Sequence, residues 1–168
     1  SRLSDYLGVK NIVLVANGTL ALTLAYKLLG IKKHVITTPF SYVATTSSLV
    51  WDNIKPEFAD ISSKTFTIDL PQIERVLTSS KGTDIEAIVP VHVFGNGCDV
   101  DNIKKIADRK KIKVVYDASH TFSVKYKNSS ILNCGDISTL SFHATKLFHT
   151  VEGGALIIND DEVFTMAK

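Results

Sequence analysis

The sequence has 168 residues, of which 45% are hydrophobic and 21% charged, and its formal net charge is +2. This composition is typical of a globular protein with a sizeable core, and it excludes a disordered or fibrous chain. The basic residues are scattered along the chain, which argues against a nucleic-acid-binding protein. Charged or polar residues interrupt every apolar run, so we expect no membrane-spanning segment.

The two cysteines, Cys98 and Cys134, have a spacing that matches no metal-binding pattern. We therefore expect reduced thiols, a cytoplasmic protein and no metal site. The chain begins in the helix-like segment RLSDYLGV and stops at DDEVFTMAK, inside another predicted helix. These ends predict that residues 1–168 form one domain of a longer protein.

Short β-branched runs alternate with amphipathic segments along the chain, which indicates strands that alternate with helices. The predicted strands are Ile12–Val15, His34–Thr37, Lys55–Phe58, Ala87–Val91, Lys113–Tyr116, Ser138–Phe142 and Ala155–Ile158. The predicted helices between and after them are Thr19–Leu29, Tyr42–Trp51, Leu70–Thr78, Val100–Arg109 and Asp161–Ala167. This order favours a single α/β domain with a mostly parallel central sheet that helices cover on both faces, a three-layer αβα arrangement.

Ligands of such sheets collect outside the carboxyl ends of the strands, so the residues that follow each strand matter most. Gly18-Thr19 follows the first strand and begins a helix, where free N–H groups and the helix dipole favour a phosphate. Taken alone, the same residues are explained better by a simple helix cap with a turn glycine. Asp117 ends an apolar strand, where its negative charge either keeps a pyridine nitrogen protonated or caps the next turn.

Lys146 lies in the segment SFHATKLFHTVEGGALI, in a turn after the sixth predicted strand. Most lysines are solvated surface charges, so this position alone does not establish a function. A lysine that forms a Schiff base needs a site where it can lose its proton. A site for pyridoxal phosphate (PLP) must bind the phosphate, stack on the ring, pair with the ring nitrogen and capture the aldehyde. The residues that match these four needs are, in the same order, Gly18-Thr19, Tyr42, Asp117 and Lys146.

Several longer motifs carry a resemblance to a known family. They are ANGTLAL, TTPFSYVATTSSLVWDNIKPEFADI, TFTIDL, VPVHVFGNGCDVDNIKKIA, VVYDASHTFSV and GDISTLSFHATKLFHTVEGGALI. In order and spacing they resemble the DegT-type nucleotide-sugar aminotransferases, a branch of the fold-type I PLP enzymes. The resemblance implies that residues 1–168 are the PLP-binding large domain of such a transferase, without the small C-terminal domain. It also implies a homodimer with shared active sites.

The resemblance further implies a reaction, in which glutamate donates an amino group to a keto-sugar nucleotide. The segments HVFGNGCDVD and SFHATKLF are most similar to the corresponding segments of members that act on dTDP-4-keto-6-deoxy sugars. The resemblance therefore implies a part in deoxyamino-sugar and surface polysaccharide (including lipopolysaccharide) biosynthesis. Neighbouring branches act on UDP-sugars or 3-keto sugars, and both remain alternatives.

Individual residues acquire roles from the same resemblance. Lys146 matches the lysine that forms the Schiff base with PLP and moves the proton, and Asp117 matches the carboxylate on the ring nitrogen. Tyr42 matches the aromatic residue stacked on the ring. His120 lies where the family commonly has a glutamine near the phenolic oxygen. The implied phosphate contacts are Gly18, Thr19 and Ser141.

Two rival interpretations differ in chemistry. Some relatives replace the Schiff-base lysine by histidine and dehydrate a deoxysugar, but Lys146 argues against this reaction, since transamination needs the lysine as a mobile base. A module that keeps the fold without turnover is the second rival, and the length of the chain leaves it open.

Overall fold

The structure is a computed structural model that describes residues 1–79 and 84–168. Its strands are β1 (Ile12–Val15), β2 (His34–Thr37), β3 (Lys55–Phe58), β4 (Ile85–Val89), β5 (Lys113–Asp117), β6 (Lys125–Tyr126), β7 (Ser129–Ser130), β8 (Ile137–Ser141) and β9 (Gly154–Ile158). Its helices are α1 (Arg2–Leu7), α2 (Gly18–Leu28), α3 (Val43–Trp51), α4 (Leu70–Thr78), α5 (Val100–Lys110) and α6 (Asp161–Met166). Short 3-10 turns lie at Val93–Gly95 and Ile131–Asn133.

Seven of the described strands form one sheet in the order β1-β9-β8-β5-β4-β2-β3. The pairs from β8 through β5, β4 and β2 to β3 are parallel, whereas β9 is antiparallel to both of its neighbours. Six strands therefore run in one direction and bring their carboxyl ends to one edge. The loop that leads into β9 lies at the same edge. The predicted mostly parallel sheet is confirmed.

Apolar side chains pack on both faces of this sheet. On one face, side chains of α4 and α5, such as Ile73 and Ile103, form a cluster with Ile88 of β4. On the other face, Leu22 of α2 and Leu49 of α3 belong to a second cluster. Two separate clusters divided by one sheet are what a three-layer αβα domain requires.

The structure corrects several predicted boundaries. The helix predicted from Tyr42 begins at Val43, because Tyr42 is its N-cap and has an extended backbone (φ −65°, ψ 146°). The strand predicted as Ala87–Val91 is Ile85–Val89, and Pro90, which has no N–H group to donate, follows it. The hairpin of β6 and β7 was not predicted. Its turn residues Lys127 and Asn128 both have positive φ, as a tight hairpin turn requires.

Among residues 1–79 and 84–168, no helix is long and apolar enough to cross a membrane. Within the same residues, no group of three or more His, Cys, Asp or Glu side chains is arranged to hold a metal ion. Cys98 and Cys134 are both free thiols.

Candidate active site

An open cavity of about 850 Å³ lies at the edge where the parallel strands end. Residues that follow β1, β2, β4, β5 and β8 line it. All seven site residues predicted from the sequence are in its wall, namely Gly18, Thr19, Tyr42, Asp117, His120, Ser141 and Lys146. The fold therefore brings together residues that are up to 128 positions apart, while their part in cofactor binding stays a prediction.

The start of α2 lies very close to β8 and β9 because glycines stand at the contacts. A Cβ on Gly18 would lie 2.9 Å from Ser141 Cβ, so a larger residue would push the helix away from β8. A Cβ on Gly154 would lie 2.5 Å from the carbonyl carbon and oxygen of Asn17. These contacts hold the N-terminus of α2 beside the Ser141 hydroxyl.

Backbone N–H groups remain for a ligand at this helix start. Asn17 caps α2, since its side chain accepts a hydrogen bond from Leu20 N at 2.9 Å. The Ala21 N–H group donates to Asn17 O at 3.2 Å, so helical pairing begins only there. The N–H groups of Gly18 and Thr19 precede that first helical bond. The cavity wall thus contains a helix N-terminus that favours an anion.

Asp117 is a buried carboxylate at the end of β5, only 5% exposed. Thr45 Oγ1 donates a hydrogen bond to Asp117 Oδ2 at 2.7 Å, and Ser119 N–H donates to Oδ1 at 3.1 Å. The backbone is fixed as well, because Asp117 N–H donates to Pro90 O and Asp117 O accepts from His92 N–H. The two donors, a threonine hydroxyl and a backbone N–H group, are both neutral, so they orient the carboxylate without adding a charge.

His120 is fixed in one tautomer. Its Nδ1 accepts a hydrogen bond from Phe94 N–H at 3.1 Å, and its ring is parallel to the Phe94 ring at 6.2 Å. Partial burial lowers the pKa of His120, and the nearby Lys146 charge lowers it further, against a smaller opposite effect of Asp117. The ring is therefore neutral with its proton on Nε2, which leaves Nε2–H as a donor. A glutamine amide supplies the same kind of donor.

Lys146 is half-buried in the loop between β8 and β9. Two backbone hydrogen bonds close this loop, from Phe142 N to Gly153 O at 2.8 Å and from Thr150 N to Phe142 O at 3.0 Å. Two residues after the lysine, the Phe148 ring stacks on Phe122 at 4.5 Å. Phe148 also meets Phe142 edge to face at 5.3 Å. The aromatic contacts anchor the loop that carries Lys146.

Tyr42 is 73% exposed at the rim of the cavity, immediately before α3. Sequence reasoning missed the hydroxyls of Ser41 and Thr45 next to it, although Ser41 also lines the cavity. The spacing of four residues at a helix start is only a weak sequence signal for these hydroxyls. The hydrogen bond that gives Thr45 its place in the site is to Asp117, 72 positions away.

The sequence profile of the DegT/DnrJ/EryC1/StrS aminotransferase family matches residues 1–168, the whole chain. The chain belongs to this family. This match confirms the resemblance that the sequence motifs carry, and it agrees with the sheet and the cavity described above.

The similarity to other members of the family is extensive but covers only part of them. The chain is 49% identical over 162 residues to dTDP-4-amino-4,6-dideoxy-D-glucose transaminase from Shigella dysenteriae, covering 96% of this chain and 43% of that protein. It is 39% identical over 160 residues to the Escherichia coli transaminase of the same name, covering 95% of this chain and 42% of that protein. UDP-4-amino-4,6-dideoxy-N-acetyl-beta-L-altrosamine transaminase from Campylobacter jejuni is 38% identical over 167 residues, with 99% and 44% covered. The chain thus spans less than half of the length of these relatives.

Solved structures of this family have the same fold. DesI, crystallised in the presence of its TDP-sugar product, superposes with a TM-score of 0.91 at 30% sequence identity, covering 98% of this chain and 41% of DesI. The PLP-form of Spr1654 from Streptococcus pneumoniae gives a TM-score of 0.88 at 27% identity, covering 96% of this chain and 45% of that one. The fold of a PLP-dependent transferase is therefore established for residues 1–168.

Proposed function

We propose that residues 1–168 are the PLP-binding large domain of an aminotransferase that moves an amino group from glutamate to a keto-sugar nucleotide. The observation that carries the proposal is a single cavity at the strand ends. It is lined by a helix N-terminus, a buried carboxylate and a lysine, and these are Gly18-Thr19, Asp117 and Lys146. Membership of an aminotransferase family supports the same conclusion.

The residues present fit PLP in shape and in charge. The start of α2 and the Ser141 hydroxyl would hold the phosphate, because the Gly18 contact keeps them adjacent. Asp117 would pair with the ring nitrogen, since a buried carboxylate favours a protonated pyridine. His120 Nε2–H would donate to the phenolic oxygen, and Tyr42 at the rim would cover one face of the ring. The cavity volume of about 850 Å³ leaves room for a substrate as well.

The chemistry divides between the cofactor and the chain. When bound, PLP supplies an electron sink that stabilises negative charge at the α-carbon of the amino donor. Lys146 Nζ is the base that moves the proton at that carbon, which a half-buried amine held by an anchored loop is suited to do. Asp117 orients the ring through charge, and the helix start binds the anionic end.

The names of the relatives support the proposed substrate class. The relative at 49% identity is a transaminase of a dTDP-linked 4-amino-4,6-dideoxy sugar, which favours a dTDP-4-keto-6-deoxyhexose as the acceptor. The relative at 38% identity, which is named for a UDP-sugar, favours a UDP-linked substrate as the second candidate. Either product would serve deoxyamino-sugar and surface polysaccharide biosynthesis. The two free thiols fit a cytoplasmic location, where thiols stay reduced.

A second copy of the protein is the proposed partner. The neighbouring helices α2 and α3 expose several large apolar side chains, namely Leu20, Leu24, Val43, Val50 and Trp51. Such side chains on adjacent helices are typical of an interface. We assign them to a homodimer in which the two copies share their active sites.

The test uses the full-length protein, loaded with PLP and supplied with glutamate and a panel of dTDP- and UDP-linked keto sugars. Transfer of the amino group to one of these sugars is the expected result. Borohydride reduction followed by peptide mapping should label Lys146, and Lys146→Ala should retain no more than a trace of turnover. Lys125→Ala, which removes an exposed lysine, is the matched control. Labelling of Lys125 or Lys127 instead of Lys146 would contradict the assignment.

A further inference from the structure

Asp117 is held by a chain of two hydroxyl groups, that of Thr45 in the first turn of α3 and that of Ser41 just before this helix. We infer that Thr45, supported by Ser41, is a positioning residue that fixes the Asp117 carboxylate for the ring nitrogen of the cofactor. The inference rests on the proposed function and adds residues that the motifs did not identify.

The hydrogen bonds have a definite direction. Thr45 is completely buried in the first turn of α3, and its hydroxyl donates to Asp117 Oδ2 at 2.7 Å. A threonine hydroxyl has one proton, so Thr45 can only accept in its 2.6 Å contact with Ser41 Oγ. Ser41 must therefore donate. The chain runs from Ser41 in the cavity wall, through Thr45, to the carboxylate.

The carboxylate depends on two protein donors that come from different parts of the fold. Thr45 supplies the donor to Oδ2, and Ser119 N–H supplies the donor to Oδ1 at 3.1 Å. Together they fix the plane of the carboxylate, and each oxygen keeps a further site for a ligand. A hydrogen bond to an ionised acceptor is stronger than one between neutral groups, so the loss of either donor matters. Removing the Thr45 hydroxyl would leave Oδ2 without the donor that orients it.

Thr45 does not line the cavity, whereas Ser41 and Tyr42 do. Its effect on a ligand must therefore pass through Asp117. The same first turn of α3 also carries Tyr42 as its N-cap. The start of one helix thus sets both the proposed stacking residue and the orientation of the proposed charge partner.

The first measurement is the affinity of the full-length apoprotein for PLP, determined by equilibrium dialysis. Thr45→Val keeps the shape of the side chain and removes its hydroxyl, and we expect it to weaken binding by about tenfold or more. Thr45→Ser restores the hydroxyl, so the affinity for PLP should return to within about threefold of wild type. That remaining difference is smaller than the contribution of one hydrogen bond. Thr37→Val is the matched control, because Thr37 is equally buried and donates to Val89 O at 2.9 Å, away from Asp117. It should bind PLP as the wild type does.

The second measurement separates positioning from general damage to the fold. It repeats the dialysis with a deaza analogue of PLP, in which carbon replaces the ring nitrogen. Because Thr45 acts through the partner of that nitrogen, Thr45→Val should bind the analogue as tightly as the wild type does. Should Thr45→Val fail to fold, Ser41→Ala removes the donor to Thr45 and should show a smaller loss, again for PLP and not for the analogue.

The outcomes distinguish the inference from the proposed function. If the wild-type protein binds no PLP, the proposed function is overturned, and the inference is overturned with it. A wild type that binds PLP, together with a Thr45→Val variant that binds it equally well, overturns the inference alone. An equal loss of affinity for PLP and for the analogue also overturns it, because a purely structural role would affect both ligands.

Discussion

At the scale of single residues, His92 is a titratable side chain between Val91 and Val93, two residues that line the cavity. His92 is completely buried, and its Nδ1 accepts a hydrogen bond from Cys98 N–H at 3.0 Å. Its ring also stacks on Tyr116 at 4.5 Å. Burial lowers the pKa of His92 to about 4, against a smaller opposite effect of Asp117, so the ring is neutral.

This burial of His92 predicts a dependence of stability on pH. The unfolded chain binds a proton at a histidine near pH 6.5, whereas the folded chain binds it only near a pKa of about 4. Between these values the unfolded state holds more protons, so the free energy of unfolding decreases as the pH falls. The contribution of neutral His92 to the free energy of unfolding is fully present above about pH 6.5. About 3 kcal/mol of this contribution is lost by about pH 4.

Urea unfolding of the full-length protein at about pH 7 and about pH 4.5 checks this prediction. The His92→Gln variant should lose less stability between the two pH values than the wild type does, whatever its stability at about pH 7. His149→Gln, which removes an exposed histidine, is the control. The prediction is wrong if wild type and His92→Gln lose the same free energy over this interval.

The sequence predicted those residues that carry a local signal. Asp117 ends an apolar run and Lys146 stands within a long motif, so the sequence alone indicates both as candidate site residues. Thr45 is one of several hydroxyl residues in α3, and nothing local distinguishes it from the others. Only the folded structure brings its hydroxyl to Asp117. Residues that act through another residue are therefore the ones that sequence reasoning misses.

At the scale of secondary structure, the sequence predicts the strands of the sheet because most of them are short, largely apolar runs between helical segments. The observed boundaries differ from the predicted ones where the backbone of a single residue determines the end of the element, as at Pro90 and Tyr42. The β6–β7 hairpin was missed, since its strands have only two residues each and carry no periodicity. The local signal for this turn is the residue type of Asn128, because asparagine tolerates the positive φ that the turn has.

The contact of α2 with β8 gives a prediction at this scale. In Gly18→Ala the new methyl group would lie 2.9 Å from Ser141 Cβ, so the helix start must move away from the strand. We expect a loss of about 1–3 kcal/mol in the free energy of unfolding, as for other overpacked sites. We also expect weaker PLP binding, because the helix N–H groups and the Ser141 hydroxyl would no longer be adjacent.

A double variant separates these two effects. In Gly18→Ala with Ser141→Gly, the obstructing side chain is absent, so most of the lost stability should return. PLP affinity should remain low, because the Ser141 hydroxyl is absent too. Thermal unfolding and equilibrium dialysis measure the two quantities. If the double variant regains full affinity for PLP, Ser141 takes no part in phosphate binding.

At the scale of the whole molecule, the sequence predicted the α/β class, the three layers and the edge of the sheet where the site lies. These follow from the alternation of strands with helices, which a long chain displays many times. The sugar and the nucleotide do not follow from it, because relatives named for a dTDP-sugar and for a UDP-sugar both match nearly the whole of this chain. The chain also spans less than half of the length of those relatives.

The last prediction concerns assembly. Trp51 is 73% exposed at the end of α3, and an indole of this size contributes strongly to an interface when it is buried. Light scattering should find the full-length wild type as a dimer, and Trp51→Glu should shift it toward monomer by placing a charge in the interface. Met166→Glu on α6, at a residue 65% exposed, is the control and should remain dimeric. If the active sites are shared, aminotransferase activity should decrease with the dimer fraction for Trp51→Glu only. A fully active monomeric wild type, or equal behaviour of both variants, would contradict the assignment of this face to a second copy.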